Sequence, residues 1–139
     1  MAQGASLGRM PVVAGAVLLA LATIAGAIGA HALPHEWSAQ RVHIYTIAVR
    51  YQFYQALGLL GMGAWLSTRR YDELPSAKRL ILRRCRSATQ TLLIGSVLFS
   101  GSLYALSLQA PRWVGLLTPA GGALMIGAWA VFAVGVWRS

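Results

Sequence analysis

The chain has 139 residues, of which 57% are hydrophobic and 11% are charged, and its formal net charge is +9. This composition is too apolar for an ordinary soluble domain and favours an integral membrane protein. The basic excess does not indicate a nucleic-acid-binding protein, because the sequence contains no basic patch interleaved with aromatic residues and no nucleic-acid-binding motif. A single cysteine, Cys85, excludes an intrachain disulfide.

Four apolar stretches are each long enough to cross a bilayer. The hydrocarbon core is about 30 Å thick and requires roughly 20 apolar residues for each spanning helix. Because these stretches leave no room for a soluble domain, we predict one all-α membrane domain over residues 1–139, a four-helix transmembrane bundle. The predicted helices cover about 11–31, 47–66, 89–108 and 116–137.

The first stretch has two interpretations. Arg9, an apolar run and then Ala30-His31-Ala32 resemble a signal peptide with its cleavage site. The apolar run, at about 20 residues, is longer than the core of a usual signal peptide, so we expect this helix to be retained. Small residues line one side of it and would let a neighbouring backbone approach closely. They are Gly15, Ala22, Gly26 and Gly29.

The segment after the first helix contains all three histidines of the chain. His31 and His35 are four residues apart and Glu36 follows them, but Pro34 disfavours a continuous helix that would bring them together. We therefore predict no metal site and no cofactor. We expect His31 to form a hydrogen-bonded cap at the end of the first helix.

Polar residues on the second and third helices are predicted to face one another. At 100° per residue, the polar residues 50, 51, 54 and 55 share one face of the second helix, with residues 53, 57, 60 and 64 opposite them and toward lipid. A serine- and tyrosine-containing face of the third helix would supply their partners, because polar groups in hydrocarbon find partners across helices. The resulting cluster, either a ligand site or a structural group, comprises His31, Arg50, Tyr51, Tyr54, Gln55, Ser100 and Tyr104.

The polar gap 67–88 contains seven of the 12 basic residues. Lys and Arg are retained on the cytoplasmic side of a membrane, so we predict that this gap and, with an even number of helices, both termini are cytoplasmic. Pro75 is expected to begin a basic helix that runs into the third span. Side chains of the gap are predicted to contact anionic lipid headgroups. They are Arg69, Arg70, Lys78, Arg79, Arg83, Arg84 and Arg86.

The fourth helix begins near a proline and contains several glycines. Pro119 suits the first turn of a helix, because its missing N–H would have no partner there. Gly121, Gly122 and Gly127 are expected to allow close helix packing, as the small residues of the first helix do.

Four blocks of the sequence resemble the signature blocks of a small membrane family. They are AIGAHAL at 27–33, VRYQFY at 49–54, FSGSLY at 99–104 and TPAGG at 118–122. The family is the domain of unknown function 423 family, to which the animal transmembrane protein 256 group is similar. The resemblance implies a four-helix inner-membrane protein with a retained first helix, and it implies no activity. The family usually has histidine where this chain has Gln55, and both side chains donate and accept hydrogen bonds.

The sequence predicts a protein that is not an enzyme, because it contains no nucleophile–base pair of suggestive spacing and no phosphate-binding loop. We expect a multi-pass protein of the bacterial inner membrane that serves as a non-catalytic structural or accessory subunit. Its expected partners are anionic lipids and another membrane protein or a second copy of itself. The alternative is a protein that binds a lipid, a quinone or another small molecule in the outer half of the bundle.

Overall fold

The computed structural model describes the backbone of residues 2–139 and the side chains of residues 7–139. Its regular structure in that part of the chain is helical throughout, so the predicted all-α class is confirmed. Two short 3-10 helices, Tyr71–Glu73 and Arg112–Leu116, precede the third and fourth long helices. The four long helices are α1 (Ala2–His31), α2 (Ala39–Ser67), α3 (Ser76–Ser107) and α4 (Leu117–Arg138).

The helices begin where local chemistry favours a start. Ser38 precedes α2, and its hydroxyl accepts a hydrogen bond from the backbone N–H of Arg41 at 3.3 Å, which satisfies one free donor of the first turn. Pro75 directly precedes α3, which confirms the predicted basic helix that continues into the third apolar stretch. Pro119 lies in the first turn of α4, as predicted.

Three helical segments of the described chain are long and apolar enough to cross a membrane. They are Leu7–His31, Ser76–Ser107 and Arg112–Arg138. α2 has 29 residues, so it is long enough, but Arg50, Gln52 and Gln55 interrupt its apolar stretch, and it is not among these three segments.

The helices α2 and α3 form the centre of the bundle, with α1 packed on α2 and α4 packed on α3. The main core lies where α2, α3 and α4 meet, and a second cluster lies where the end of α2 approaches the first half of α3. The main core consists of Leu59, Met62, Leu92, Met125 and Ala128, and the second cluster of Leu66, Leu82 and Cys85.

The small residues of α1 face α2, as predicted. A Cβ at Gly15 would lie only 2.8 Å from the carbonyl oxygen of Ala56, and a Cβ at Gly29 would lie 3.0 Å from the ring of Tyr45. Ala22, between them, is fully buried. Glycine is therefore required at Gly15, where the backbones of α1 and α2 lie close together.

A second close approach joins α3 to α4. A Cβ at Gly121 would lie 2.6 Å from the backbone nitrogen of Phe99 and 2.7 Å from the carbonyl oxygen of Gly95. Gly127, which the sequence grouped with Gly121, faces outward and has no heavy atom of the described residues within 4 Å of such a Cβ. Only part of the predicted glycine face of α4 therefore packs against α3.

We predict that Gly121→Ala destabilises the protein and that Gly127→Ala does not. The new methyl group at Gly121 would meet backbone atoms that cannot rotate away, and overpacking of this kind costs about 1–3 kcal/mol. The same change at Gly127 enters open space and adds helix propensity. Thermal unfolding of both variants in detergent measures the difference, and equal melting temperatures would contradict the close approach of α3 and α4.

Candidate functional site

One buried glutamine joins three of the four helices. Gln52 is only 6% exposed, and its Nε2 donates to the carbonyl oxygen of Leu18 in α1 at 2.9 Å. The hydroxyl of Tyr104 in α3 donates to Oε1 of the same side chain at 2.9 Å. Both ends of the amide therefore have a partner, which is the condition for burying a polar group at low cost.

The predicted polar face of α2 meets α3 only in part, and Gln52 was missing from the prediction. Arg50 and Tyr54 are exposed, and Tyr51 is also exposed but packs on α3, with its ring centroid 4.8 Å from that of Phe99. The buried face of α2 instead repeats every three or four residues through small and apolar side chains. That spacing, rather than polarity, would have identified Gln52 as an inward residue. The buried face includes Tyr45, Ala48, Gln52, Ala56 and Leu59.

The predicted lipid-facing side of α2 is half right. Leu57 and Ala64 are exposed, as expected. Phe53 and Leu60 are partly buried against α1, where Leu60 lies beside Gly15 and Phe53 beside Gly26. The inward face of α2 is thus rotated relative to the prediction, because α1 covers one of the flanks that was assigned to lipid.

Gln55 pairs with α4 rather than with α3. Its Oε1 accepts a hydrogen bond from Nε1 of Trp129 at 3.0 Å. The Trp129 ring lies over Gly58, where a Cβ would come within 2.5 Å of a ring carbon. The indole thus fills the space beside Gly58 and satisfies its N–H at the same time.

The α3 residues of the predicted cluster have different environments. Tyr104 bonds to Gln52, whereas Ser100 is buried and its hydroxyl has no hydrogen-bond partner among the described residues. Ser96, one helical turn earlier in α3, is buried in the same way. Two buried hydroxyls of α3 therefore have no hydrogen-bond partner among the described residues.

Aromatic side chains and one arginine close the end of the bundle beyond Gln52. The hydroxyl of Tyr45 donates to the carbonyl oxygen of Ala25 at 2.7 Å, and its ring packs edge-on against Tyr104. Arg41 lies 4.2 Å from the ring centroid of Trp37 and donates through Nε to the carbonyl oxygen of Ser107 at 2.9 Å. This arginine satisfies a carbonyl at the end of α3 that has no partner within the helix.

The remaining members of the predicted cluster lie on the surface. His31 is exposed at the last residue of α1. Arg50 is exposed and lines a cleft of about 290 Å³ between α1 and α2, together with Gly29 and Tyr45. Among the described residues, no three His, Cys, Asp or Glu side chains come together as metal ligands would. The predicted cluster is therefore divided into a buried network and an exposed polar surface.

The basic residues of the 67–88 gap are mostly exposed. The exception is Arg69, which is partly buried with its guanidinium 4.2 Å from the ring centroid of Trp65. Arg79 donates to the carbonyl oxygens of Leu74 and Asp72, which fixes the turn before α3. The other cations surround the start of α3 and are accessible to headgroups.

Residues 25–122 match the family described as protein of unknown function, DUF423. This match covers more than half of the chain, including the whole of α2 and α3. The chain belongs to the DUF423 family. The resemblance of the four sequence blocks is thereby confirmed.

Curated relatives of this DUF423 protein are named as membrane proteins. A UPF0382 membrane protein of Staphylococcus saprophyticus is 33% identical over 91% of this chain and 96% of the relative. The UPF0382 inner membrane protein YgdD of Escherichia coli K12 is 32% identical over 81% of this chain and 78% of the relative. No solved structure matches the chain. These names and the three long apolar helices confirm the predicted membrane location.

We predict that Gln52→Leu destabilises this DUF423 protein more than Gln55→Leu does. Leucine at Gln52 removes two interhelical hydrogen bonds, each worth about 0.6 kcal/mol on average in membranes, and leaves the Tyr104 hydroxyl without its partner. Gln55 is partly exposed and loses one bond. Unfolding in detergent measures both changes.

A double-mutant cycle isolates the bond between α2 and α3. Combining Gln52→Leu with Tyr104→Phe should show a coupling of about 0.6 kcal/mol, because both substitutions remove the same bond. Strict additivity of the two single changes would contradict that contact.

Proposed function

We propose that this DUF423 protein crosses the membrane four times, with both termini and the 67–88 segment in the cytoplasm. α1 and α2 are antiparallel along their whole length, since Gly8 lies beside Ser67 at one end and Gly29 beside Tyr45 at the other. If α1 spans the bilayer, α2 must span the same thickness in return. The position of the seven basic residues supports the orientation.

A reporter enzyme that is active only outside the cytoplasm tests this topology. We expect no activity from a fusion after Tyr71 and full activity from a fusion after His35, because the two positions follow opposite ends of the α1–α2 hairpin. Immunoblots of the two fusions control for expression. Activity at Tyr71 would reject the proposed orientation, and equal activity at both positions would reject a spanning α2.

We further propose that the protein is a non-catalytic subunit that packs against another integral membrane protein through the outward face of α2. We define this face by Thr46, Arg50, Tyr54, Leu57 and Gly61, all of which are exposed. The observation that carries the proposal is the exposure of Arg50 and Tyr54 on the surface of α2, a helix that the proposed topology places within the bilayer.

Polar groups on a lipid-facing surface are costly and call for partners. An arginine at the centre of a spanning helix costs about 2.5–3.5 kcal/mol on insertion scales, although Arg50, near the outer end of α2, can extend toward the headgroups. The side chain of Tyr54 is 57% exposed one helical turn deeper. A helix of another protein laid on this face would supply hydrogen-bond acceptors to both side chains.

The inner half of the same face favours close contact. A methyl group added at Gly61 would have no heavy atom of the described residues within 4 Å, so the backbone is open to a neighbouring helix there. Small residues at such positions allow helices to approach closely in membranes. Polar side chains in the outer half of the face and an exposed backbone in the inner half are together typical of a helix–helix interface.

The buried polar groups support a role without catalysis. The amide of Gln52 and the hydroxyl of Tyr104 already bond to one another, and Gln55 is held by Trp129. These groups act as connections between helices. A reacting substrate would need free groups of this kind in a cleft.

Site-specific photo-cross-linking in native membranes tests the proposed interface. A photoreactive residue in place of Tyr54 should yield a discrete protein adduct, since the side chain would lie within the contact. The same residue in place of Val97, which is 53% exposed on α3, is the matched control and should react with lipid only.

The mass of the adduct identifies the partner. An adduct of twice the mass of the chain would mean that a second copy occupies the face, and a heavier or lighter one would mean a different membrane protein. Adducts of equal yield at Tyr54 and Val97, or none at either position, would contradict an interface on α2.

A second candidate function is the binding of a lipid, a quinone or another small molecule beside Arg50. The cleft between α1 and α2 supports it, because the guanidinium borders a space lined by Gly26, Gly29 and Tyr45. Its volume of about 290 Å³ is at the lower limit for ligand pockets, which favours the protein interface. A lipid adduct confined to Tyr54 in the cross-linking experiment would support this second candidate instead.

A further inference from the structure

A groove of about 580 Å³ runs between α3 and α4 at the ends that the proposed topology places in the cytoplasm. Its floor is apolar and two arginines border it, one from each helix. The lining residues are Ile81, Arg84, Ala130, Val131, Val134, Gly135 and Arg138.

The two arginines lie near the same mouth of the groove. α3 and α4 are antiparallel, and Cys85 lies directly against Gly135, so Arg84 is level with Gly135. Arg138 lies three residues nearer the end of its helix, an offset of about 4.5 Å at the α-helical rise. An anion between the two guanidinium groups would therefore lie at the membrane surface.

The apolar lining continues from that mouth toward the centre of the bilayer. Val131 lies four residues before Gly135, so it is about 6 Å deeper in the membrane. Val134 and Ala130 line the same path. From the membrane surface inward, the groove thus has two cations and then an apolar wall. A phospholipid has its phosphate and its acyl chain in the matching order.

Neither arginine forms an ion pair with a described acidic side chain. Within residues 7–139, the ion pair that forms joins Arg70 to Glu73, at 3.2 Å. Arg84 and Arg138 are both exposed. Two free cations at one opening favour an anion, and the adjoining apolar surface favours one that carries a hydrocarbon chain.

We propose that this groove is a binding site for one anionic phospholipid of the cytoplasmic leaflet, whose phosphate lies between Arg84 and Arg138 and whose acyl chain covers Val131 and Val134. Its volume lies in the range of ligand pockets, and basic pockets between helices on this side of a membrane bind anionic headgroups. The site uses α3 and α4, so it is separate from the outward face of α2.

Binding of phosphatidylglycerol to the purified chain in neutral detergent, counted by native mass spectrometry, tests the two cations. The double variant Arg84→Gln/Arg138→Gln should bind about 30-fold more weakly, which corresponds to about 1 kcal/mol for each arginine. Arg83→Gln/Arg86→Gln is the matched control, because it removes the same charge from exposed positions outside the groove, and its affinity should stay near that of the unchanged protein. Equal losses in the two double variants would mean diffuse attraction and would overturn the site.

A second pair of variants tests the apolar floor and keeps both arginines, so it is informative even if the arginine variant fails to fold. Ala130→Phe should fill the groove and abolish binding of phosphatidylglycerol. Ala133 is exposed on α4 but lies outside the groove, so Ala133→Phe should leave that binding unchanged. Unchanged binding by Ala130→Phe would overturn the proposal. Inorganic phosphate should not displace the lipid; displacement at low concentration would mean a site for a soluble anion and would also overturn it.

Discussion

Close contact between helix backbones holds this bundle together. In lipid there is no hydrophobic force between helices, so association depends on van der Waals packing and on hydrogen bonds between helices. Gly15 brings α1 against the backbone of α2, and Gly121 brings α4 against the backbone of α3. These two seams form two hairpins, and the central contact of α2 with α3 joins them.

The contact between α2 and α3 contains a buried polar side chain, Gln52. Gln52 bonds at once to the α1 backbone and to Tyr104, so a single amide connects three helices. These bonds use both ends of the amide. Arg50 and Tyr54, by contrast, are directed outward, and this is why we place an interaction surface there rather than a site inside the bundle.

The two proposed surfaces suit different partners because their chemistry differs. The outward face of α2 is polar in its outer half and has no side chain at Gly61, which fits a neighbouring helix. The groove between α3 and α4 is concave and apolar with Arg84 and Arg138 at one end, which fits a lipid. A protein with both surfaces could be held in its leaflet by an anionic lipid and in a complex by another membrane protein.

The pattern of residues along the chain was enough to predict the four helices, the starts at Pro75 and Pro119, the packing side of α1 and membership of the DUF423 family. Each of these depends on local chemistry: apolar length, the missing N–H of proline, or runs of small residues. The inward face of α2 was beyond such reasoning. Polar side chains occur at Tyr51, Gln52, Tyr54 and Gln55, which at 100° per residue are spread over about 160°, nearly half of the helix circumference. Polarity could therefore not specify the rotation of α2. The tertiary structure fixed the rotation of α2 by placing inward the face where Ala48 and Ala56 flank Gln52. Only small neighbours let α1 and α3 come within hydrogen-bonding distance of the amide.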